Sequence, residues 1–215
     1  MRDSILRRTS HNRIVRNSKP SPAFARNARL RRSSALSVCL ALLLLALCHS
    51  PSLGQSQADE YRVKAAFLYH FAQLIEWPSD PPGDPKSAFL VCTLGADPFH
   101  GDLENTIGGK SIGKRTIQIK HFKQPQEASD CEILFIARTE NQRLRAILGA
   151  LAGAPILSVG ETDDFVQQGG TIGFFLEDSK IRFDINLGAA NHSGLQISSR
   201  LLLLAKNVIG KGGGD

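Results

Sequence analysis

The chain has 215 residues, with 26 Lys or Arg, 20 Asp or Glu and 42% hydrophobic residues, which is enough for one or two folded domains. Ten of the basic residues and a single acidic one lie in residues 1–54, so the remainder holds 16 basic and 19 acidic side chains and has a net charge of −3. This acidic balance excludes a nucleic-acid-binding protein.

Residues 1–54 have the three-part form of a secretory signal: a basic stretch, an apolar run from Ala35 to Leu47, and small residues up to Gly54. The apolar run is shorter than the roughly twenty residues that a permanent membrane-spanning helix needs. We therefore predict export and cleavage after Gly54. A lasting membrane anchor and a lipid anchor at Cys48 are the alternatives, and Leu47 disfavours the lipid anchor because lipoprotein signals have a small residue before the Cys.

Cysteine usage fits an exported protein. Cleavage of the signal removes two of the four Cys residues and leaves Cys92 and Cys131. Two cysteines in an oxidising compartment favour one disulfide, which would stabilise the fold by roughly 4 kcal/mol, and two buried free thiols are the alternative. Neither has a second Cys or a His at ligand spacing, so the sequence predicts no metal site and no cofactor.

The exported part, residues 55–210, predicts one domain in which helices alternate with apolar strands. The first helix begins at Ser56 and ends before Trp77-Pro78. Its apolar stripe is predicted to comprise Val63, Ala66, Phe67, His70, Phe71 and Leu74, which makes His70 a core or interface residue. Strands follow at 88–94, 115–120, 131–137 and 155–159, and helices at 97–106, 139–151 and 161–168. Continuous apolar strands interleaved with helices predict a three-layer α/β/α sandwich with a mostly parallel sheet.

The end of the domain has a different pattern. Strands at 171–177 and 180–185 flank Asp178-Ser179 and predict a β-hairpin. Two helices follow, one capped by Asn186 and one that begins at Ser198 and runs to Ile209. Residues 211–215 are predicted to be a disordered tail.

Motifs for enzymatic chemistry are incomplete. Gly109-Lys110-Ser111 has the last residues of a phosphate-binding loop, but Glu104 occupies the position of its first Gly. No Ser lies in a Gly-x-Ser-x-Gly turn, and the His residues are scattered. The acidic group at Glu161, Asp163 and Asp164 is predicted to be the first turn of a short helix, and a cation site is the alternative. The sequence therefore predicts that the protein is not an enzyme.

Basic residues near the C-terminus are the candidates for binding. Arg182 lies on the polar face of the predicted hairpin. Arg200 begins the last predicted helix beside Ser198 and Ser199, where free backbone N–H groups can hold an anion. Ordinary surface charge is the alternative for all of them.

Two long blocks carry a resemblance to a known family. Residues 63–71 closing at Glu76-Trp77-Pro78, and residues 181–190 continuing through 194–202, resemble the YfiR/HmsC-like family of periplasmic proteins. The resemblance extends from about Tyr61 to Ile209. Family members commonly have Asn where His70 stands, and some carry a second Cys pair that this chain lacks.

The resemblance implies a periplasmic domain, often a homodimer, that restrains an inner-membrane diguanylate cyclase by binding its periplasmic region. It also implies that an outer-membrane, peptidoglycan-associated lipoprotein can sequester the repressor, and that repression lowers cyclic di-GMP and biofilm output. We expect the partner surface to include the hairpin at Arg182 and the loop at Trp77. The full set of candidate partner- or ligand-binding residues is Trp77, Arg182, Asn186, Ser198, Ser199 and Arg200.

Functions of other classes stay open at this point. A small-molecule sensor would bind an anionic or aromatic metabolite near Arg182 and Arg200, and would act on another membrane partner. An enzyme would need a His and an acid that meet in a pocket only in the folded protein.

Overall fold

The computed structural model describes residues 53–78 and 88–210, with side chains from Asp59 onward. The predicted signal segment up to Ser52 and the predicted tail at 211–215 lie outside the described residues. Helix α1 already includes Leu53, so Ser56 lies inside this helix and does not cap it. No helix within the two described ranges combines the length and the hydropathy that crossing a bilayer would require.

Five helices and ten strands make up the described residues. The helices are α1 Leu53–Leu74, α2 Asp102–Ile107, α3 Leu144–Ala150, α4 Leu187–His192 and α5 Ser199–Leu204, with 3-10 turns at Pro125–Ala128 and Arg138–Arg143. The strands are β1 Ile75–Glu76, β2 Ala88–Leu94, β3 Ser111–Ile112, β4 Arg115–Phe122, β5 Ile133–Ile136, β6 Leu157–Gly160, β7 Ile172–Glu177, β8 Lys180–Asn186, β9 Gln196–Ile197 and β10 Val208–Ile209.

Eight strands form one sheet in the order β10-β8-β7-β6-β5-β2-β4-β3. The central run from β4 to β7 is parallel, the hairpin β7–β8 is antiparallel, and β10 adds a parallel edge beside β8. The short strands β1 and β9 pair separately. The predicted mostly parallel α/β architecture is confirmed.

Strand β2 shows how the sheet separates two hydrophobic layers. Its side chains alternate, so that Phe89 and Val91 pack in the cluster that includes α1, whereas Cys92 and Leu94 pack in the cluster that includes α3. Because a strand sends successive side chains to opposite faces, both faces of the sheet are covered. This arrangement is the predicted three-layer sandwich.

The disulfide predicted from the cysteine count is present. Cys92 in β2 is bonded to Cys131, which lies just before β5, with 6.1 Å between the two Cα atoms. Cys92 is fully buried and Cys131 is 3% exposed. The bond therefore joins two neighbouring strands of the sheet inside the layer that holds α3.

Three predicted helices are shorter than expected because the backbone leaves the α-helical conformation. The helix predicted at 97–106 begins only at Asp102, since His100 and Gly101 have φ values of +50° and +90°. The helix predicted from Ser198 to Ile209 ends at Leu204, because the chain becomes extended and β10 pairs with β8. The segment predicted as a helix at 139–151 begins as a 3-10 turn and is α-helical only in α3.

The short acidic helix predicted at 161–168 is wrong. These residues form successive turns, and Asp164 has a φ of +57°, which a right-handed helix does not allow. The turns place the ring of Phe165 against the backbones of Gly160 and Gly170. Burial of the Phe165 ring against these glycines therefore accounts for turns where the local sequence predicts a helix.

Alanine at Gly160 or Gly170 is expected to lower the free energy of unfolding by about 1–3 kcal/mol, because the core is overpacked. A Cβ atom would lie 2.2 Å from the Phe165 ring at Gly160 and 2.1 Å at Gly170, and this ring is buried. Urea unfolding measures the change. Gly149→Ala in α3 is the control: its Cβ meets open space, so a gain of about 0.5–1 kcal/mol is expected from helix propensity. Equal stability of the Gly160 and Gly149 variants would contradict this packing.

Candidate functional site

Helix α1 is apolar on two faces, and the predicted stripe lies between them: it includes the buried Phe71 and the exposed Val63 and His70. The buried side chains of α1 are Tyr61, Lys64, Ala65, Leu68, Phe71 and Ala72. Val63 is 45% exposed and His70 is exposed, so His70 does not lie in the core, and of its two predicted roles the one at an interface remains a prediction. A surface helix normally shows charged or polar residues on its outer face. The outer face of α1 is therefore a candidate for contact with another molecule.

A groove of about 760 Å³ lies between this outer face and the β7–β8 hairpin. It is lined by Asp59, Glu60, Val63 and Phe67 of α1 and by Leu176, Ser179, Lys180, Ile181 and Arg182 of the hairpin. Four large hydrophobic side chains in the described part of the chain are exposed, and two of them, Val63 and Leu176, line this groove. We call it the hairpin groove.

Arg182 is held at the rim of the hairpin groove. Its Nε lies 3.8 Å from Oε2 of Glu177, and Lys206 Nζ lies 2.9 Å from Oε1 of the same carboxylate. The hydrogen bond from Lys206, together with the charges of Lys206 and Arg182, lowers the pKa of Glu177 below its ordinary value. The Arg182 side chain is still 48% exposed, so its charge is available to a partner.

Trp77 and Asn186 have partners inside the domain. Trp77 donates from Nε1 to the backbone oxygen of Glu132 at 3.2 Å, and its ring packs edge-to-face against Phe89 at 5.2 Å. Asn186 accepts from the Ala189 N–H at 2.9 Å and thereby caps α4, as predicted. Neither Trp77 nor Asn186 lines the hairpin groove. Their contacts give both residues a role in holding the fold.

The remaining candidates lie at the start of α5. Ser198 caps this helix, as predicted, and its Oγ accepts from the Leu201 N–H at 3.3 Å. Ser199 and Arg200 are exposed, on the same short helix as the exposed side chains of Leu203 and Leu204. None of these residues lines the hairpin groove, so the predicted candidates occupy separate places on the molecule.

The structure also contains a buried ionic cluster that the sequence analysis missed. Lys64 is 3% exposed, and its ammonium group contacts the carboxylates of Glu60 and Glu161. Glu161 also accepts from the Tyr61 hydroxyl at 2.8 Å. Burial and the neighbouring Glu161 charge raise the pKa of Tyr61 above its ordinary range. Lys64 lies on the inner stripe of α1, so choosing that stripe would have revealed it.

The acidic group around Glu161 differs from its prediction. Glu161 follows β6 directly and is 5% exposed, whereas Asp163 and Asp164 are exposed. Glu161 serves as the counter-ion of Lys64 and does not begin a helix. Within residues 53–78 and 88–210, no group of three or more His, Cys, Asp or Glu side chains is placed to hold a metal ion.

One hydrogen-bonded chain has the residue types of a catalytic triad. Thr93 Oγ1 lies 2.7 Å from His121 Nδ1, and His121 Nε2 lies 2.6 Å from Glu104 Oε1. A nucleophile must reach its substrate, but Thr93 is fully buried. The chain of hydrogen bonds therefore joins β2, β4 and α2, and it does not form an active site.

Comparison with known proteins gives a family, and it also gives solved structures of low sequence identity. A family model described as YfiR/HmsC-like matches residues 61–206. Similar solved structures include the ABC domain in complex with L-Trp from Streptococcus pneumonia (11% identity, TM-score 0.41, covering 56% of this chain and 55% of that one). A conserved domain protein from Vibrio cholerae is 9% identical with a TM-score of 0.47, covering 69% of this chain and 60% of that one. The chain thus spans little more than half the length of either structure.

Proposed function

Because this chain belongs to the YfiR/HmsC-like family, which is periplasmic and regulatory, we propose that it binds and represses an inner-membrane diguanylate cyclase. It would do so from the periplasm, by contacting the periplasmic region of the cyclase. Repression lowers cyclic di-GMP and, through it, exopolysaccharide and biofilm output. The export signal predicted in residues 1–54 agrees with this location.

The hairpin groove is the observation that carries the proposal. A protein that acts by reversible docking needs an apolar patch with a polar rim rather than a set of catalytic groups. Val63 and Leu176 supply the exposed apolar surface. Asp59 on α1 and Arg182 on β8 put opposite charges on the two sides of the groove. Such a groove fits a partner segment that carries apolar residues between a basic and an acidic side chain.

A second exposed surface offers a place for another partner. The exposed end of α5, with Arg200, Leu203 and Leu204, is the second apolar patch in the described residues. We propose this α5 patch as the contact surface for a second copy of the chain, and the hairpin groove as the contact surface for the cyclase.

Replacing Leu176 with Asp and Arg182 with Glu is expected to weaken binding of the cyclase by at least about tenfold, which corresponds to 1.4 kcal/mol. Both side chains are exposed or half-exposed, so the fold is retained. Isothermal titration of the purified periplasmic region of the host's cyclase measures the affinity, and cellular cyclic di-GMP is expected to rise in the same strain.

A matched control carries the same types of change on the α5 patch, Leu203→Asp with Arg200→Glu. It is expected to bind the cyclase with the affinity of the unaltered protein. Loss of binding in the control but not in the groove variant would move the cyclase to the α5 patch. If the unaltered protein does not bind the cyclase at all, the proposed function is wrong.

A further inference from the structure

A second cavity lies at the carboxyl ends of the parallel strands. The chain passes from β2 to β4 on one side and then returns to β5 on the other side of β2. The order of the strands reverses at β2, so the loop after β2 and the loop after β5 run to opposite faces of the sheet. In open α/β sheets, ligands bind in the crevice between two such loops. A cavity of about 610 Å³ occupies this place, between Asp97 and Pro98 after β2 and Arg138 after β5. We call it the strand-end crevice.

The floor of the strand-end crevice is the buried ionic cluster. Glu161, which lines the crevice, is neutralised by Lys64 and hydrogen-bonded to Tyr61. Apolar residues of similar size would often give equal or greater stability than a buried ion pair. Burial also raises the pKa of Tyr61, which lines the crevice, and a titratable group perturbed in a cleft marks a candidate functional site. His100, whose φ is +50°, also lines the crevice, and strained backbone accumulates at such sites.

The rim of the crevice presents both signs of charge. Arg138 is exposed, and its Nη2 donates to the backbone oxygen of Glu161 at 2.8 Å, which anchors the guanidinium at the crevice. Glu60 of α1, whose carboxylate also contacts Lys64, and Asp97 of the loop after β2 supply carboxylates, and Pro98 and Leu176 supply apolar wall. A simple anion would meet two carboxylates here, and a simple cation would meet Arg138.

We propose that the strand-end crevice binds a small zwitterion, a molecule with an ammonium group and a carboxylate joined by a short aliphatic chain. Arg138 takes the carboxylate in a forked, charge-assisted hydrogen bond. Glu60 and Asp97 hold the ammonium group, and Pro98 and Leu176 cover the chain. The cavity volume is within the range of small-molecule sites. This site differs from the anion site that the sequence suggested near Arg182 and Arg200.

The test uses ligands that differ only in charge. Linear amino acids from glycine to 6-aminohexanoate are titrated into the ¹⁵N-labelled protein, purified from the periplasm, alongside the amine and the carboxylic acid of matching chain length. Amide shifts at Ala96, Asp97 and residues 137–139 report on the crevice. At least one zwitterion is expected to bind saturably, and about tenfold or more tightly than its singly charged counterparts.

Variants separate the crevice from general charge effects. Arg138→Gln is expected to abolish the shifts, and Lys206→Gln, which removes a positive charge outside the crevice, is expected to leave them unchanged. The proposal is overturned if no zwitterion binds at up to roughly 10 mM, a generous limit for a specific site. It is also overturned if singly charged ligands bind equally well, or if Arg138→Gln binds like the unaltered protein.

Discussion

Replacing Lys64 with Met is expected to lower the free energy of unfolding by about 3–5 kcal/mol, although the new side chain is similar in length and fits an apolar stripe. The reason is the partner left behind. Glu161 is 5% exposed and would lose its ammonium counter-ion while still buried beneath α1. The Tyr61 hydroxyl supplies one hydrogen bond to this carboxylate but no charge. Urea unfolding followed by far-ultraviolet circular dichroism measures the loss.

Two further variants test the cause. Lys64→Met combined with Glu161→Met removes both charges and is expected to recover most of the lost stability, because neither buried charge is left unpaired. Arg62→Met, on the same helix, breaks ion pairs with the exposed Asp59 and the partly buried Asp102; because the Arg62 side chain is itself exposed, the expected cost is less than about 1 kcal/mol. Equal free energies of unfolding for Lys64→Met and Arg62→Met would show that the buried cluster does not stabilise the fold.

Removing the disulfide with Cys92→Ala and Cys131→Ala is expected to cost about 4 kcal/mol. The two cysteines are 39 residues apart, so the bond greatly restricts the unfolded chain. In the chain-entropy model, a closed loop of this length loses about that much conformational freedom. The unfolding midpoint in urea is therefore expected to fall, with little change in the far-ultraviolet spectrum of the native protein.

Reduction gives an independent measurement. With dithiothreitol present, the free energy of unfolding of the unaltered protein in urea is expected to equal that of the double variant. Without the reductant it is expected to stay at its full value. A thiol assay on the unreduced, unfolded exported protein is expected to find no free thiol from Cys92 or Cys131. Both cysteines are almost fully buried, so reduction of the native protein first requires local opening. Two thiols in the unreduced protein would contradict the bond.

Local signals near the C-terminus correctly identified the hairpin turn and two helix caps, but not the end of the last helix, after which β10 pairs with β8. Asp178 and Ser179 both have positive φ values in the tight turn that joins β7 and β8, as the turn residues had indicated. Asn186 and Ser198 cap the helices that follow them. Such features depend on residues only a few positions apart, and the sequence therefore shows them directly.

Features that depend on distant residues were not predictable in this way. Helix α1 has apolar residues on both faces, so its periodicity did not identify the inner one. Glu161, the buried partner of Lys64, is 97 positions away, and nothing near Lys64 in the sequence indicates it. The turns after Glu161 allow the Phe165 ring to pack on Gly160 and Gly170. The helix propensity of residues 161–168 contains no information about this packing. Both cavities are lined by residues from elements far apart in the chain. Their positions depend on the order of the strands in the sheet, which the sequence does not show.

The disulfide has a further consequence for the fate of the chain in a compartment that contains proteases. It closes a covalent ring that includes α2, β3, β4 and the 3-10 turn Pro125–Ala128. A single backbone cut anywhere inside that ring releases no fragment, because both new ends remain tied through the sulfur atoms. The loops of the ring can therefore be nicked without loss of the strands on either side, which sit at the centre of the sheet.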